Sequence, residues 1–531
     1  MGDNIAISTW DNIVARKRSI QVATLAAYEE EKILTSDSIT SIDDVDKLSE
    51  LLEKGELCAE EVILAYIKRA VAAHKLTNCL TEICFESALQ RARTLDQYLK
   101  VNGKPIGPLH GIPFTVKDQF NVKGVDTTIG YVGMAFNPAF DDAAVVKILQ
   151  DLGAIVVAKT NLPQSIMWCE TENPLWGLTT NPRNPAFTPG GSTGGEGALL
   201  TLQGTMFGLG TDIGGSIRIP SAINGLYGLK PSSARLPYQG VPVSTEGQEH
   251  VPSAIGPMTR NLFSLTKITK FIINSQPWLL DPRTVPMPWR DDIYAETRSR
   301  PLVIGIMLDD GVVKAHPPIE RVLKEVAVKL KAAGHELVDW KPDLHKKCID
   351  IMDAFYTADG GEDIRRAIAS GGEPYIPHVK ALVNRGKPIS VYEYWQLNKR
   401  KIAAQKAYLD KWNAVKGAES GRVVDVLLTP VIPHVAVPHR MTRWVGYTKI
   451  WNVLDYTALS FPAGTVSVEK DPLPSTPFKP RSELDAFNWN LYDPATMDGH
   501  PVGLQIVGRR FEEEKVLAAA KVFEDVLGKT A

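Results

Sequence analysis

The sequence predicts an α/β protein with a single large mixed sheet, mostly parallel and twisted, that helices cover on both faces. From residue 112 onward, short apolar segments of strand length alternate with amphipathic helical segments, a rhythm typical of parallel sheets. The rhythm resumes after an interruption at residues 273–300, so strands on both sides of it are expected to join one sheet. With 531 residues, 44% of them hydrophobic, the chain is long enough to bury such a core.

The first part of the chain is predicted to be helical. Residues 10–34 and 43–74 carry apolar side chains at helical spacing, and Gly55 is expected to divide the second stretch into two helices. Another helix is predicted at about 86–100. We therefore expect a helical N-terminal region, residues 1–85, that packs on the core, followed by one α/β domain, residues 86–531.

The α/β rhythm begins with the strand-like IPFTVKD (112–118), the helix AAVVKILQDLG closed by Gly153, and the strand-like AIVVAK. Residues 273–300 are rich in Pro and Trp and are predicted to form a surface excursion. The strand-like LVIGIM, the helix IERVLKEVAVKLKAAG and the strand-like ELVDW follow. A helical region to about 416, the strand-like VVDVLLTP and the helix EEEKVLAAAKVFEDVL complete the pattern.

Charge and cysteine content narrow the range of partners. Lys and Arg number 59 against 61 Asp and Glu, a net charge of −2, which does not favour nucleic acid or an anionic membrane as a partner. The five scattered cysteines show no C-x-x-C pair and are expected to be free thiols in a reducing compartment. We therefore expect a cytoplasmic protein without metal or cofactor, whose partner is a small molecule. A homodimer is compatible with the sequence, which does not determine the oligomeric state.

One segment, PGGSTGGEGALLTLQGTMFGLGTDIGGSIRIPSA (residues 189–222), stands apart. Ten of the 41 glycines lie within residues 190–215, where an even spread would place about two. Glycine lets the backbone approach a ligand closely, and Ser192 and Ser216 each precede a predicted helix, whose free N–H groups can hold an anion or an oxyanion. The two Gly-Ser elements are joined by a predicted helix and the strand FGLGTD. The segment is therefore predicted to be a catalytic or binding site.

Two other interpretations of this segment fail. A phosphate-binding loop would need G-x-x-x-x-G-K-[ST], which is missing. Residues 190–194 fit G-x-S-x-G, the nucleophile elbow of α/β-hydrolases, but that elbow follows a strand. The preceding NPRNPAFTP cannot form one, and the histidine base would have to come from as far away as His434 or His500.

The double Gly-Ser segment, GGSTGGEGALL followed by GLGTDIGGSIRIPSA, resembles the amidase-signature family. The likeness extends to GPLHGIPFTVKDQFNVKG, which is similar to the family's lysine strand, and to HPVGLQIVGRRFEEEKVLAAA near the end. It covers roughly residues 45–525 and is strongest toward fungal-type acetamidases and general amidases. The resemblance implies the amidase-signature fold. Thr193 and Thr201 are mild departures, since the family usually has Gly, Ser or Ala there.

The resemblance also implies the catalytic residues. Ser216 corresponds to the acyl-enzyme nucleophile, Ser192 to the serine that relays its proton, and Lys117 to the base; a cis peptide bond is expected before Ser192. A lysine base needs a pKa near 7, which burial in an apolar strand can produce. The backbone N–H groups of Ile213, Gly214, Gly215 and Ser216 are expected to hold the oxyanion. Asp212 and Arg218 flank the nucleophile and are expected to pair and brace its loop.

The substrate pocket and the reaction are predicted less sharply. Where the family lines its acyl site, this chain has Ile166, Met167, Trp168 and Trp176, together with Thr193, although ordinary core packing is an equal alternative. Trp444, Tyr447 and Trp451 form a second aromatic group, which we expect in the core. The predicted reaction is hydrolysis of a small or aryl-aliphatic carboxamide to an acid and ammonia. An amidotransferase subunit that passes ammonia to a partner and a non-catalytic binding protein are the alternatives. Acetamide, indoleacetamide, benzamide and longer acyl amides are not distinguished.

Overall fold

The structure is a computed structural model that describes residues 9–29, 38–475 and 477–528. Its strands are β1 (Leu80–Ile83), β2 (Pro113–Lys117), β3 (Ile155–Thr160), β4 (Glu172–Asn173), β5 (Gly177–Leu178), β6 (Phe207–Asp212), β7 (Tyr227–Lys230), β8 (Ala254–Thr259), β9 (Val303–Ile306), β10 (Glu336–Asp339), β11 (Val426–Pro430), β12 (Ala458–Thr465) and β13 (Pro501–Val507).

The α-helices of the described residues are α1 (Thr9–Ala26), α2 (Val45–Glu53), α3 (Ala59–Thr77), α4 (Phe85–Asn102), α5 (Ala144–Asp151), α6 (Gly194–Thr201), α7 (Arg218–Asn224), α8 (Leu262–Asn274), α9 (Asp291–Arg298), α10 (Pro317–Ala332), α11 (His345–Tyr356), α12 (Glu362–Gly371), α13 (Pro377–Val383), α14 (Val391–Ala414), α15 (Gly446–Val453), α16 (Glu483–Asn490), α17 (Pro494–Met497) and α18 (Glu513–Leu527).

Eleven strands form one sheet in the order β1-β3-β2-β6-β8-β7-β12-β13-β11-β9-β10, while β4 and β5 pair separately. The prediction of one large mixed sheet is confirmed. Parallel pairs join β3, β2 and β6 near one edge and β11, β9 and β10 at the other. The pairs from β6 to β11 are antiparallel, as is β1 with β3. More strand pairs are antiparallel than the α/β rhythm indicated. That rhythm predicted parallel neighbours joined by helical crossovers, whereas the neighbouring strands at the centre of the sheet run in opposite directions.

Both faces of the sheet are buried, which confirms the predicted helical cover. On β11, Val426 and Leu428 pack in one apolar cluster with residues of α10 and α18, such as Leu323 and Val516. The intervening Leu427 packs in a second cluster with residues of α11, α14 and α15. Since successive side chains of a strand point to opposite faces, the two clusters mark the two sides of the sheet.

The N-terminal helices follow the prediction, with one strand missed. Helices α2 and α3 are separated at Gly55, whose φ of +69° is the left-handed conformation that favours glycine. Helix α1 ends at Ala26, and residues 30–34 of the predicted helix lie outside the described residues. Strand β1 lies within the region predicted to be helical and pairs with β3. The division of the chain at residue 85 stays a prediction.

The predicted surface excursion at residues 273–300 is only partly exposed. Leu279 is 72% exposed, but Trp289 is buried in the main core, and α9 packs against α18. Burial of the large indole ring of Trp289 removes much apolar surface from water, so this segment packs against the core at Trp289.

All five cysteines are free thiols; Cys58 is half-buried and the others are buried. No cluster of His, Cys, Asp or Glu with the arrangement of a metal site occurs within the described ranges. Across the same part of the chain, every helix is too short or too polar to cross a membrane. The absence of a metal or cofactor stays a prediction.

Candidate active site

Lys117 lies at the end of β2, a strand whose five residues are all buried. Phe114 and Val116 pack in the main core, whereas Lys117 lies on the other face and its Nζ donates to Ser192 Oγ at 2.6 Å and to Thr211 Oγ1 at 2.9 Å. Burial lowers the pKa of Lys117 from 10.5 to about 7, although the negative charge of Asp212 opposes this effect. The lysine is therefore available as a neutral amine near pH 7.

A short hydrogen-bonded chain continues from Lys117 to Tyr238, which lies between β7 and β8 in the sequence. The hydroxyl of Thr211 donates to Gln119 Oε1 at 2.7 Å, and the amide nitrogen of Gln119 donates to the hydroxyl of Tyr238 at 3.0 Å. Thr211 and Gln119 are fully buried. Sequence reasoning did not single out these three residues, because their contacts depend on how β2 and β6 pair.

Ser192 lies in the turn just before α6 and is 1% exposed. The expected cis peptide bond is present between Gly191 and Ser192. A Cβ at Gly191 would lie 2.5 Å from the carbonyl oxygen of Glu170, so the turn needs glycine there. The backbone N–H of Thr193 donates to the carbonyl oxygen of Ser216 at 3.1 Å, which joins the two Gly-Ser loops.

The nucleophile-elbow interpretation of Ser192 is excluded by the structure. No strand precedes Ser192 in residues 179–191, all of which are described. The two histidines that it would require have other contacts: His434 Nδ1 lies 2.7 Å from the carbonyl oxygen of Val435, and the His500 ring lies against Phe187.

Ser216 lies between β6 and α7, is 8% exposed, and lines a cavity of about 300 Å³. Gly215 before it has φ of +132°, and a Cβ there would lie 2.5 Å from Thr448 Oγ1. Only glycine fits this close approach without strain. Ser192 and Ser216 thus both follow glycines that allow the backbone to pass close to neighbouring atoms.

The four predicted oxyanion donors differ in their availability. The N–H of Gly215 donates to Asp212 Oδ1 at 2.8 Å, so this group is already engaged, contrary to the prediction. Among the described residues, none accepts a hydrogen bond from the N–H groups of Ile213, Gly214 and Ser216. These three groups remain free to hold an anion at the loop that carries Ser216.

Asp212 and Arg218 form the predicted ion pair across this loop. Arg218 donates from Nε to Asp212 Oδ2 and from a terminal nitrogen to Oδ1, both at 2.9 Å, and both side chains are fully buried. Burial would raise the pKa of the Asp212 carboxyl, but Arg218, Lys230 and Asn452 together hold it well below its usual range. Asp212 also accepts from the N–H groups of Gly215 and Ile217. The pair therefore fixes the backbone on both sides of Ser216.

The predicted pocket residues separate into two groups. Ile166, Met167 and Trp168 line the same cavity as Ser216. Trp176 does not; it packs with Val14, Val132 and Leu175 in a small core cluster. Thr193 is buried beneath the site and does not line the cavity. Trp176 and Thr193 thus follow the alternative of ordinary packing.

Other cavity residues come from distant parts of the chain and were not predicted. Tyr356 lies in the cavity wall and its hydroxyl donates to the carbonyl oxygen of Ile213 at 3.1 Å. Trp444, which we expected in the core, also lines the cavity, while Tyr447 and Trp451 of the same group are core residues. Nothing local distinguishes these aromatic side chains, since their position depends on how α11 and α15 pack together.

Comparisons with known proteins agree with this geometry. The profile of the family described as Amidase matches residues 61–517. "Amidase 1" of Gibberella moniliformis is 57% identical, with 98% of this chain and 99% of that protein covered. An "Acetamidase" of Emericella nidulans is 38% identical, with 98% of each chain covered.

Among solved structures, one titled "Fatty acid amide hydrolase" is similar with a TM-score of 0.87 and 34% identity, covering 99% of this chain and 92% of that one. These findings confirm the resemblance drawn from the double Gly-Ser segment. They show that the chain belongs to the amidase family and is an amide hydrolase.

Proposed function

We propose that the protein hydrolyses a small or aryl-aliphatic carboxamide to a carboxylic acid and ammonia through an acyl-enzyme on Ser216. The observation that carries this proposal is the 2.6 Å contact between the buried Lys117 Nζ and Ser192 Oγ, with a lysine pKa of about 7. A serine is a weak nucleophile unless a base removes its proton, and a neutral lysine can act as that base. Ser216 lies on the adjoining loop and faces the cavity.

In the first step, Ser216 Oγ attacks the amide carbonyl carbon and gives its proton to Ser192 Oγ. Ser192 passes its own proton to Lys117 Nζ, which becomes an ammonium. The carbonyl oxygen becomes an oxyanion, held by the free N–H groups of Ile213, Gly214 and Ser216; each such donor typically contributes about 3 kcal/mol to the transition state.

In the second step, the tetrahedral intermediate collapses and its C–N bond breaks. The proton held by Lys117 returns through Ser192 to the nitrogen, which leaves as ammonia, and an ester remains on Ser216. Water then attacks the ester with the same two groups as its base, and the acid is released. Every proton in this sequence comes from the serines or from water, so this chemistry needs no cofactor.

The size and walls of the cavity support the proposed substrate class. A volume of about 300 Å³ is at the small end of ligand pockets and accommodates one aryl ring with a short chain. Trp168 and Trp444 supply flat apolar walls, and Met167 is adaptable in shape. The names "Amidase 1" and "Acetamidase" of the relatives agree with a primary amide as substrate. We further propose a cytoplasmic location, in keeping with the five free cysteines.

The direct test is ammonia release by the purified chain, without added partner, from acetamide, phenylacetamide, indoleacetamide and benzamide. We expect Ser216→Ala to lower kcat by about 10⁴-fold or more. Ser221→Ala is the matched control, because this buried serine lies in α7 and its hydroxyl donates to the carbonyl oxygen of Ile217. Turnover that survives Lys117→Ala but is abolished by a metal chelator would refute the mechanism. Turnover that requires a partner protein would favour an amidotransferase.

A further inference from the structure

The cavity that holds Ser216 has an uneven charge distribution. Its charged lining residues are Asp353, Arg385, Arg443 and Lys449. Lys449 Nζ lies 2.6 Å from Asp353 Oδ1, so these two charges neutralise each other. The two arginines leave the cavity with a net charge of +2.

Neither arginine has a partner of opposite charge. Among the described residues, no carboxylate oxygen lies within 4.0 Å of the guanidinium of Arg385 or Arg443. Both residues are exposed; Arg385 lies just after α13, and Arg443 lies just before α15. The Arg443 guanidinium lies over the Phe487 ring, 3.5 Å from its centroid, which holds it in place.

The amide must bind at the buried end of the cavity, because Ser216 is only 8% exposed whereas both arginines are exposed. Ser216 and Gly214 lie there, and Trp168 and Trp444 form walls of the same cavity. A substrate that places its amide at Ser216 therefore extends past aromatic walls toward the two arginines. A guanidinium binds a carboxylate through two parallel hydrogen bonds, and two guanidinium groups can hold one carboxylate between them.

We propose, on the basis of the proposed function, that the preferred substrates are carboxamides with a carboxylate at the end remote from the amide. Arg385 and Arg443 bind this carboxylate and determine specificity. A neutral amide of the same size fills the apolar part of the cavity but leaves both cations without a partner. The class of reaction that supplies such a substrate is the conversion of one carboxyl group of a dicarboxylic acid to an amide.

The test compares two para-substituted phenylacetamides of similar size, one with a carboxylate and one with a neutral hydroxyl at the remote end: para-(carboxymethyl)phenylacetamide and para-(2-hydroxyethyl)phenylacetamide. We expect kcat/KM of the wild type to be about tenfold higher for the acid, with most of the difference in KM. Each of Arg385→Gln and Arg443→Gln lowers this ratio about threefold, and the double variant brings it to about one. Arg93→Gln is the matched control; it removes an exposed arginine on α4 and leaves the ratio unchanged.

Raising the ionic strength provides a measurement that needs no variant, because salt screens exposed charges and should reduce the wild-type preference. A wild-type ratio of one or less, a ratio that salt does not change, or a double variant with the wild-type ratio would each overturn this inference. If the hydroxyethyl amide is hydrolysed in a Ser216-dependent way under these outcomes, the proposed function stands and only the carboxylate preference fails. If neither para-substituted amide is hydrolysed but an amide of the first panel is, only the carboxylate preference fails; if no amide of either set is hydrolysed, both proposals fail.

Discussion

The acid limb of the pH–rate profile tests the role of Lys117 directly. Only the neutral amine can accept a proton from Ser192, so activity requires Lys117 to be deprotonated. With a pKa of about 7, about 90% of the lysine is neutral at pH 8 and about 1% at pH 5. We therefore expect kcat/KM to fall about 100-fold between pH 8 and pH 5, with an apparent pKa near 7.

The assay is ammonia release from one neutral amide, so that the substrate itself does not titrate. Lys117→Arg should be inactive throughout, because a guanidinium stays protonated at every pH of the assay. Glu196→Gln is the control: burial raises the pKa of this carboxyl to about 8, but it accepts from Thr115 and Thr160 and does not contact Lys117. The acid limb should remain near pH 7 in this variant. A wild-type profile that is flat between pH 6 and 8 would refute a lysine base.

Burial of a neutral lysine also predicts how stability depends on pH. The difference between 10.5 and about 7 corresponds to about 5 kcal/mol. Between these pH values the unfolded state binds a proton on Lys117 that the folded state does not, so this residue makes stability rise with pH. Lys117→Met removes this titrating group, and we expect the variant to be more stable than the wild type at pH 7. The difference in the free energy of unfolding between the two proteins should shrink as the pH is raised from 7 to 10. An advantage independent of pH in urea unfolding would contradict the lowered pKa.

Three further substitutions test the surroundings of the site. Asp212→Asn should lower the free energy of unfolding in urea by about 3–5 kcal/mol, because it leaves the buried Arg218 without a charged partner. The same change at the exposed Asp339 should lower it by less than about 1 kcal/mol. Equal losses would show that the Asp212–Arg218 pair does not brace the loop. Gly215→Ala should reduce both kcat and the melting temperature far more than Gly55→Ala, because a side chain at Gly215 meets a threonine hydroxyl and one at Gly55 meets open space. Trp176→Leu should lower the free energy of unfolding by about 2–4 kcal/mol without changing KM for aromatic amides. A changed KM would indicate that Trp176 lines the substrate pocket.

The residues of the proposed catalytic centre could be singled out from the sequence because they lie in a few short segments with recognisable patterns. Lys117 ends a strand recognisable from its apolar run, and the two serines stand in one glycine-rich segment of 34 residues, 189–222. This segment contains both serine turns, helix α6 and most of α7 that follow them, and β6 between them. Local glycine and helix signals are therefore enough to single out the two serines, whereas the family resemblance singles out Lys117 and implies the roles of all three.

The centre of the sheet was not predicted because its strands have weak local signals. β8 contains Gly256 and Pro257, and β12 contains Pro462 and Gly464, residues that are rare in strands. Pro257 lies opposite Leu209 of β6 and beyond the two residues of β8 that pair with β7. Pairing with distant strands overrides the local preference at such positions. The outer pocket was missed for the same reason, since Tyr356 and Trp444 reach the site only through packing of the second half of the chain.

The direction of the hydrogen bonds around Lys117 supports its proposed role as the base. Gln119 donates its amide N–H to Tyr238, so its oxygen faces Thr211 and accepts that hydroxyl's only proton. The oxygen of Thr211 can then only accept from Lys117 Nζ. Lys117 Nζ donates to Ser192 Oγ at 2.6 Å in the structure; once the amine has lost a proton, one N–H can stay directed at Thr211 while its lone pair turns to Ser192. Burial thus sets the charge of the amine, whereas the Tyr238–Gln119–Thr211 chain sets its orientation, and a general base requires both.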